Sequence, residues 1–310
     1  MIYTVTLNPA VDKIARLNEI KVNELNRVSK IETDAGGKGI NVSRTIKCLQ
    51  SSSIAVGFLG GSTGSFVDCL LQREDIDAHM VGIIGNTRTN LKIMDGDNQL
   101  TEFNEEGPFI LQNEFDELLD YLRNQLDSNS VLVISGSMPK GLSRSTYTQL
   151  IELAKDAGST VLLDTTLTLF KDAKEACPQI VKLAEADLAS YYHIDEVLSE
   201  ELKITLLKRL ISEGIEIAIL IDSHSDAYVA SASHVYKCHA QNVEVKTMIG
   251  AADSFIAGFV VGLEKKYEMI DLLKLACGCF VAASLSKNAR PTDLHSVNEH
   301  ERDTLVEILD

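Results

Sequence analysis

NEFDELLDYLRNQLDSNSVLVIS, residues 113–135, carries two periodicities in succession. In its first part Phe115, Leu118, Leu119, Leu122 and Leu126 recur at i, i+3, i+4, i+7 and i+11, which lays them along one face of a helix. In its last five residues, VLVIS, the spacing closes to an unbroken apolar run, the pattern of a strand buried on both faces. The same grammar extends outward. Residues 54–58 (IAVGF), 160–164 (TVLLD) and 215–221 (IEIAILI) read as further buried strands. Leu202, Leu206, Leu207, Leu210 and Ile211 give residues 199–213 a second helical face. Strand alternating with helix predicts an α/β fold, a mostly parallel central sheet covered by helices on both sides.

Two segments break that rhythm. Residues 12–33 and 88–104 alternate polar and apolar side chains, and Asp95-Gly96-Asp97-Asn98 separates TNLKIM from LTEFN. This is hairpin spacing, so a small β-sheet lid is expected at the edge of the main sheet. No Pro/Gly/Ser-rich linker, charge block or repeat interrupts the chain. The expectation is therefore one domain over residues 1–310, with its lid drawn from those two segments.

Charge narrows the partners. The 310 residues hold 29 Lys+Arg against 45 Asp+Glu, a formal net charge of −16. Nucleic acids and anionic membrane surfaces both demand clustered cations, so neither is expected as a partner. A phosphorylated small molecule is not excluded, because a few local cations can outweigh the global field. The six cysteines show no C-x-x-C spacing and lie among apolar neighbours, which reads as buried free thiols in a reducing compartment. No apolar run approaches the roughly 18 residues of a membrane span. A soluble cytoplasmic protein is expected.

In open α/β sheets, ligands bind beyond the carboxyl ends of the strands, so strand-to-helix turns carry the chemistry. Gly250-Ala251-Ala252-Asp253 opens an apolar helix, SFIAGFVVGLEKK. Small residues at a helix start leave N–H groups free at the positive end of the dipole, which suits an anion. A carboxylate there can accept a proton from an attacking hydroxyl; it can equally be a helix cap. Gly36-Gly37-Lys38-Gly39, followed by Asn41 and Arg44, has neither Walker A nor dinucleotide spacing. Its glycines still let backbone approach a ligand closely. Asn8-Pro9-Ala10-Val11-Asp12, Arg88-Thr89-Asn90 and Gly136-Ser137-Met138-Pro139 place an Asp, an Asn, an Arg and a Ser at strand ends, where a polyhydroxylated anion could be read. The histidines at 224, 234 and 239 read as surface or packing residues, and Asp293, His295 and His300, in a polar C-terminal connection, read as solvated.

Taken together, TLNPAVD (6–12), AGGKGINVSR (35–44), GFLGGSTG (57–64), TRTN (87–90), TEFNEEGP (101–108), ISGSMPKGL (134–142), LLDT (162–165) and GAADSFIAGF (250–259) resemble the PfkB (ribokinase-like) carbohydrate kinases. The likeness is closest to the branch of tagatose-6-phosphate kinase and 1-phosphofructokinase. The resemblance implies a three-layer α/β/α sandwich with a β lid, and a phosphosugar kinase using ATP and Mg2+. On the matching positions Asp253 would be the catalytic base, with Gly250, Ala251 and Ala252 as its anion hole. Asp12, Gly37, Lys38 and Asn41 would bind the sugar, and Arg88 and Ser137 its existing phosphate. Relatives dimerise through the lid, which makes a homodimer the expectation and Arg27 a residue reaching the partner's site.

The departures fall on the nucleotide side. The family's G-A-G-D has Ala252 at its third position, and the Thr before it is Met248. A Cβ at position 252 costs about 1 kcal/mol if that residue needs φ > 0, and nothing if it is helical. K-P-N-x-x-E appears as Lys182-Leu183-Ala184-Glu185-Ala186-Asp187, leaving Lys182 and Asp187 for phosphate and metal. The nucleotide loop S-L-G-A-D-G becomes Ile221-Asp222-Ser223-His224-Ser225-Asp226. Its two acids repel polyphosphate unless Mg2+ or a lysine compensates, and Lys287 is the cation expected to do so. Ala282, Ala283 and Asn288 are expected to line the adenine. The alternative to a working kinase is a weakened pseudokinase, a sugar-phosphate sensor that keeps the fold.

Overall fold

The computed structural model describes residues 1–28, 30–96, 99–222, 226–240, 250–286, 290–291 and 293–309. The N-terminal part runs β1 (Ile2–Thr6), β2 (Ala10–Arg16), β3 (Ile31–Gly36), α1 (Lys38–Cys48), β4 (Ser53–Leu59), α2 (Gly61–Arg73), β5 (Asp77–Gly82), β6 (Arg88–Met94) and β7 (Leu100–Asn104). The middle adds α3 (Gln112–Gln125), β8 (Val131–Gly136), α4 (Thr146–Asp156), β9 (Thr160–Thr165), α5 (Leu167–Ala173), β10 (Ile180–Ala184), α6 (Glu185–Tyr191) and α7 (Glu200–Ser212). The C-terminal part holds β11 (Ile217–Ile221), β12 (Ala227–Ser231), β13 (Val235–Ala240), α8 (Ala251–Glu264), α9 (Met269–Leu285), α10 (Leu294–Arg302) and β14 (Thr304–Leu309).

The main sheet has the order β14-β13-β12-β11-β10-β9-β8-β1-β4-β5. From β5 to β11 every neighbouring pair is parallel, and β12 to β14 continue it antiparallel. The switch follows from chain length. A parallel crossover needs a dozen or more residues, and only residues 222–226 separate β11 from β12. The continuously apolar strands are those buried on both faces, as their sequences predict. Along β8, Leu132 and Ile134 enter one core under α3 to α7, while Val131 and Val133 enter the other beneath α1, α8 and α9. Helices α8 and α9 are apolar all round because they lie deep in that second core. Phe255 and Phe259 are fully buried there, and truncating either to alanine would cost about 3–5 kcal/mol.

Two expectations need correction. The segment after residue 293 is not an irregular connection. Asp293 accepts the Ser296 N–H at 2.8 Å and caps α10, and β14 then closes the sheet edge. The six cysteines are free, but Cys69 and Cys177 are exposed and only Cys238, Cys277 and Cys279 are buried. Cys69 lies off the inward face of α2, which is formed by Gly64, Val67 and Leu71.

The predicted lid is present as a four-stranded sheet, β3-β2-β6-β7. Strands β2 and β6 pair in parallel at its centre, and each carries an antiparallel outer partner. Asp97 and Asn98 of the β6–β7 turn lie outside the described residues. Buried Arg44 moors the lid to the body. Its guanidinium donates to Asp34 (2.7 Å) and the Ala35 carbonyl (2.7 Å) on β3, and to Glu74 (2.7 Å) after α2. Val22, Leu25, Val28, Ile31, Leu100 and Phe103 leave the lid with an exposed apolar face.

Candidate active site

Strands β1, β8, β9, β10 and β11 all end at one edge of the main sheet, and α1 and α8 start there. Gly250 caps α8 in the left-handed region, φ 70°, where a side chain is costly. Ala252 follows within the helix and is not among the residues with positive φ. Alanine therefore carries no left-handed penalty at the position where the family has glycine. The first N–H groups of α8 have no intrahelical partner and point out of the helix start.

Asp253, buried in the first turn of α8, is held from α1. Asn41 Nδ2 donates to its Oδ2 at 2.9 Å, and Lys38 Nζ to its Oδ1 at 3.3 Å. A hydroxyl contact between Thr45 and Ser254 (3.0 Å) fixes the two helices one turn further on. Helix α1 begins this close to β1 because Gly37 adopts φ 137°, and a Cβ there would lie 2.8 Å from Thr6 Cγ2. Lys38 also reaches Asp164 Oδ2 at 3.0 Å, and Asp164 Oδ1 takes Lys182 Nζ at 3.2 Å. Charges thus alternate from Lys182 through Asp164 and Lys38 to Asp253. Asp164 pushes the Lys38 ammonium well above its ordinary range, against its partial desolvation and with help from Asp253. Burial alone would raise the Asp164 carboxyl, but Lys182 and Lys38 outweigh it and hold that carboxyl below its usual range.

The lid supplies the opposite wall. Asp12, on β2, accepts from Asn90 Nδ2 (2.8 Å) and Lys92 Nζ (3.1 Å), both on β6. Its carboxyl lies against Gly36, where a Cβ would come within 2.6 Å. Arg88 donates to the Asn8 carbonyl (3.2 Å) and the Glu105 carbonyl (3.1 Å). Asn8 Nδ2 in turn donates to Ser137 Oγ at 3.3 Å. A Cβ on Gly136 would fall 3.9 Å from that of Lys38, which brings the Ser137 turn beside the glycine-rich turn. Asp12, Gly37, Lys38, Asn41, Arg88, Ser137 and residues 250–253 therefore converge on one edge. Arg27 is exposed on the β2–β3 connection.

At the β11–β12 turn, lysines from two other elements stand beside the two acids. Asp222 is buried, with Oδ2 2.7 Å from Lys203 Nζ and Oδ1 accepting the Asp226 N–H at 3.0 Å. The Asp226 carboxylate lies 3.2 Å from Lys237 Nζ. Lys203 and Lys237, from α7 and β13, are the cations beside these two acids. Ser223, His224, Met248, Lys287 and Asn288 lie outside the described residues. Ile221 ends β11 directly before this turn. Ala184 caps α6, and Asp187 sits half-buried in its first turn, its carboxyl pushed up by burial while Lys182 opposes that shift. Ala283 is fully buried in the core of α9, and Ala282 nearly so.

A family model described as pfkB family carbohydrate kinase matches residues 5–294. The chain belongs to the PfkB family. It is 32% identical over 287 residues to 1-phosphofructokinase of Bacillus subtilis (strain 168), covering 93% of each chain. The solved structure of phosphofructokinase-2 from Escherichia coli superposes with a TM-score of 0.91 at 23% identity, over 97% of this chain and 98% of that one. A ribokinase from Arabidopsis thaliana, solved with ribose and ATP, gives 0.80 at 18% identity over the same shares. The fold is ribokinase-like, and the protein is an ATP-dependent carbohydrate kinase.

Sequence reading missed Asp164, Lys92 and Lys203 as individual residues. Asp164 left a signal, a carboxylate ending the apolar run TVLLD at the ligand edge. Lys92 and Lys203 left none, because each lies inside an ordinary amphipathic segment and acts across to another element. Among the described residues, no three His, Cys, Asp or Glu side chains gather as a metal cluster. Nor is any described helix long and apolar enough to cross a membrane.

Proposed function

We propose that this kinase transfers the γ-phosphoryl of Mg-ATP to a ketohexose monophosphate, tagatose 6-phosphate or fructose 1-phosphate, to give the bisphosphate. The observation that carries this reading is Asp253, set at the open start of α8 and gripped by Lys38 and Asn41 of the glycine-rich turn. A carboxylate beside free helix N–H groups can take the hydroxyl proton while those N–H groups meet the arriving charge.

Lys38 and Asn41 both donate hydrogen bonds to Asp253. A sugar hydroxyl entering beside it trades some of those contacts for its own. Asp12 and the backbone at Gly37 read further hydroxyls, and Asn90 Oδ1, buried without a hydrogen-bond partner, marks spare polar capacity on the lid wall. Arg88 and Ser137 hold the phosphate already on the sugar, a dianion that favours the forked guanidinium. The backbone N–H groups of Gly250 to Ala252 stabilise the equatorial oxygens in transfer. Lys182 steers the polyphosphate, and the turn between Ile221 and Asp226 frames the nucleotide.

Magnesium arrives with ATP, and the donor set fits that role. Asp187 offers one hard oxygen ligand, and Mg2+ commonly takes one or two carboxylates with phosphate and water completing its shell. When bound, the ion would neutralise charge on the β- and γ-phosphates. Main sheet and lid work as one catalytic domain over residues 1–310, with the lid closing over the sugar to exclude water. The exposed apolar lid face supports a homodimer in which lids pair and Arg27 reaches across. The free thiols support a cytoplasmic home.

The test is product analysis by phosphorus NMR with Mg-ATP and each sugar phosphate. One of the two should acquire a second phosphomonoester as ADP appears. Intact ATP and unchanged sugar in both reactions would overturn the proposal.

A further inference from the structure

The most heavily rebuilt part of the ligand edge is held by a lysine from outside it. Lys203 lies in the first turn of α7, its side chain only 7% exposed. Its Nζ lies 2.7 Å from Asp222 Oδ2 and 3.4 Å from Glu185 Oε1, and 5.4 Å from the centre of the Tyr228 ring. Asp222 and Glu185 belong to different turns. Asp222 opens the β11–β12 turn and fixes its width, because Asp222 Oδ1 and N both bond the backbone of Asp226. Glu185 is the first residue of α6, two positions before Asp187. Strand register pairs Ala184 with Ile221, so the two turns leave the sheet side by side. A buried ammonium is costly to desolvate, and apolar packing at such a place is often as stable or more so. What the lysine supplies that an apolar residue cannot is a bond to each turn at once.

We propose that Lys203 is a positioning residue for the nucleotide, clamping the β10–α6 turn to the β11–β12 turn so that both face one polyphosphate. The proposal rests on the kinase reading above. In this role Lys203 does not touch ATP. It draws the Asp222 charge inward, away from the phosphates, and fixes the spacing of the two turns. The sugar side shares no contact with it.

The test compares wild type, Lys203→Met, the double variant Lys203→Met/Asp222→Asn, and Glu185→Gln. ADP binding is measured by calorimetry without turnover, alongside thermal melting and KM for each substrate. Lys203→Met leaves Asp222 buried without its cation, and its fold is at risk. The double variant removes that charge while keeping an acceptor for the Asp226 N–H, and Glu185→Gln leaves the buried pair untouched. The double variant should melt near wild type yet bind ADP about tenfold or more weakly, the scale of a small misplacement. KM for ATP should rise in step, with KM for the sugar phosphate and kcat held. Glu185→Gln should weaken ADP in the same direction by less. Wild-type ADP affinity in both the double variant and Glu185→Gln would overturn the clamp, as would equal losses for sugar and nucleotide. A wild-type protein that binds no ADP would instead bring down the kinase reading, and this inference with it.

Discussion

On the sugar side of the ligand edge, Lys38 is 39% exposed in its side chain and stands between two carboxylates at the rim. On the nucleotide side, Asp222 is 2% exposed and lies beneath Lys203. Both regions pair acid with base, but in opposite senses. Under the proposed function the first presents cations and a reactive carboxylate to the ligand. The second turns its carboxylates inward and spends them on holding turns together. Two acids at a nucleotide turn read as repulsion when charge is counted along the chain. In the fold they are internal counter-ions of ammonium groups 2.7–3.2 Å away, and the polyphosphate of the proposed function would meet little of their field.

The largest effect expected from breaking this contrast comes at Asp164, which stands between the two regions. Asp164→Ala leaves buried Lys182 without its counter-ion and should cost about 3–5 kcal/mol at neutral pH, read by denaturant unfolding. The sign of its pH dependence follows from the Asp164 carboxyl being held below its usual range in the folded state. Its stabilisation is complete above the unfolded value, about pH 4, and is lost as pH falls through the lower folded value. The gap between wild type and variant should therefore stay constant above about pH 4 and close below it. A gap that widens on acidification would mean that Asp164 is not the anion balancing these lysines.

A smaller and more selective effect is expected at Arg88. Arg88→Ala should raise KM for the sugar phosphate by about tenfold or more, the value of a charged hydrogen bond at roughly 1.5–3 kcal/mol. KM for ATP should stay within about twofold, since nothing on the nucleotide side touches Arg88. Equal losses for both substrates would dissolve the division between the two regions. The smallest effect belongs to Ala252→Gly. The helical position of Ala252 predicts at most about 1 kcal/mol of lost stability and activity retained. A large fall in activity would show that the start of α8 does not serve as the anion hole.

The parallel sheet was legible because strands buried on both faces leave continuous apolar runs, as VLVIS and TVLLD do. The lid was legible because a half-exposed sheet must alternate. Strands β12 and β13 were harder to see, since AYVAS and VYKCHA are short and mixed and take their place only by pairing antiparallel with β11. At the site, motifs confined to one turn, such as GGKGIN and GAAD, could be read directly. Asp164, Lys92 and Lys203 could not be assigned roles, because each acts on a residue far away in sequence. Lys203 and Asp222 are 19 positions apart, Lys92 and Asp12 are 80, and Lys38 and Asp164 are 126. Charge compensation of that kind belongs to the fold, and a local window of sequence does not contain it.

Asp253 is the proposed proton acceptor of the transfer site. Its most direct test is coupled ADP release with fructose 1-phosphate and tagatose 6-phosphate, comparing wild type with Asp253→Asn, together with sugar-phosphate binding to both proteins. Asparagine keeps the size of the side chain and can still accept the Asn41 hydrogen bond. Wild type should turn over one of the sugars, and the variant should lose about 10²- to 10⁴-fold in kcat while still binding it. Equal turnover by both proteins, or binding of sugar phosphate without turnover in either, would contradict it.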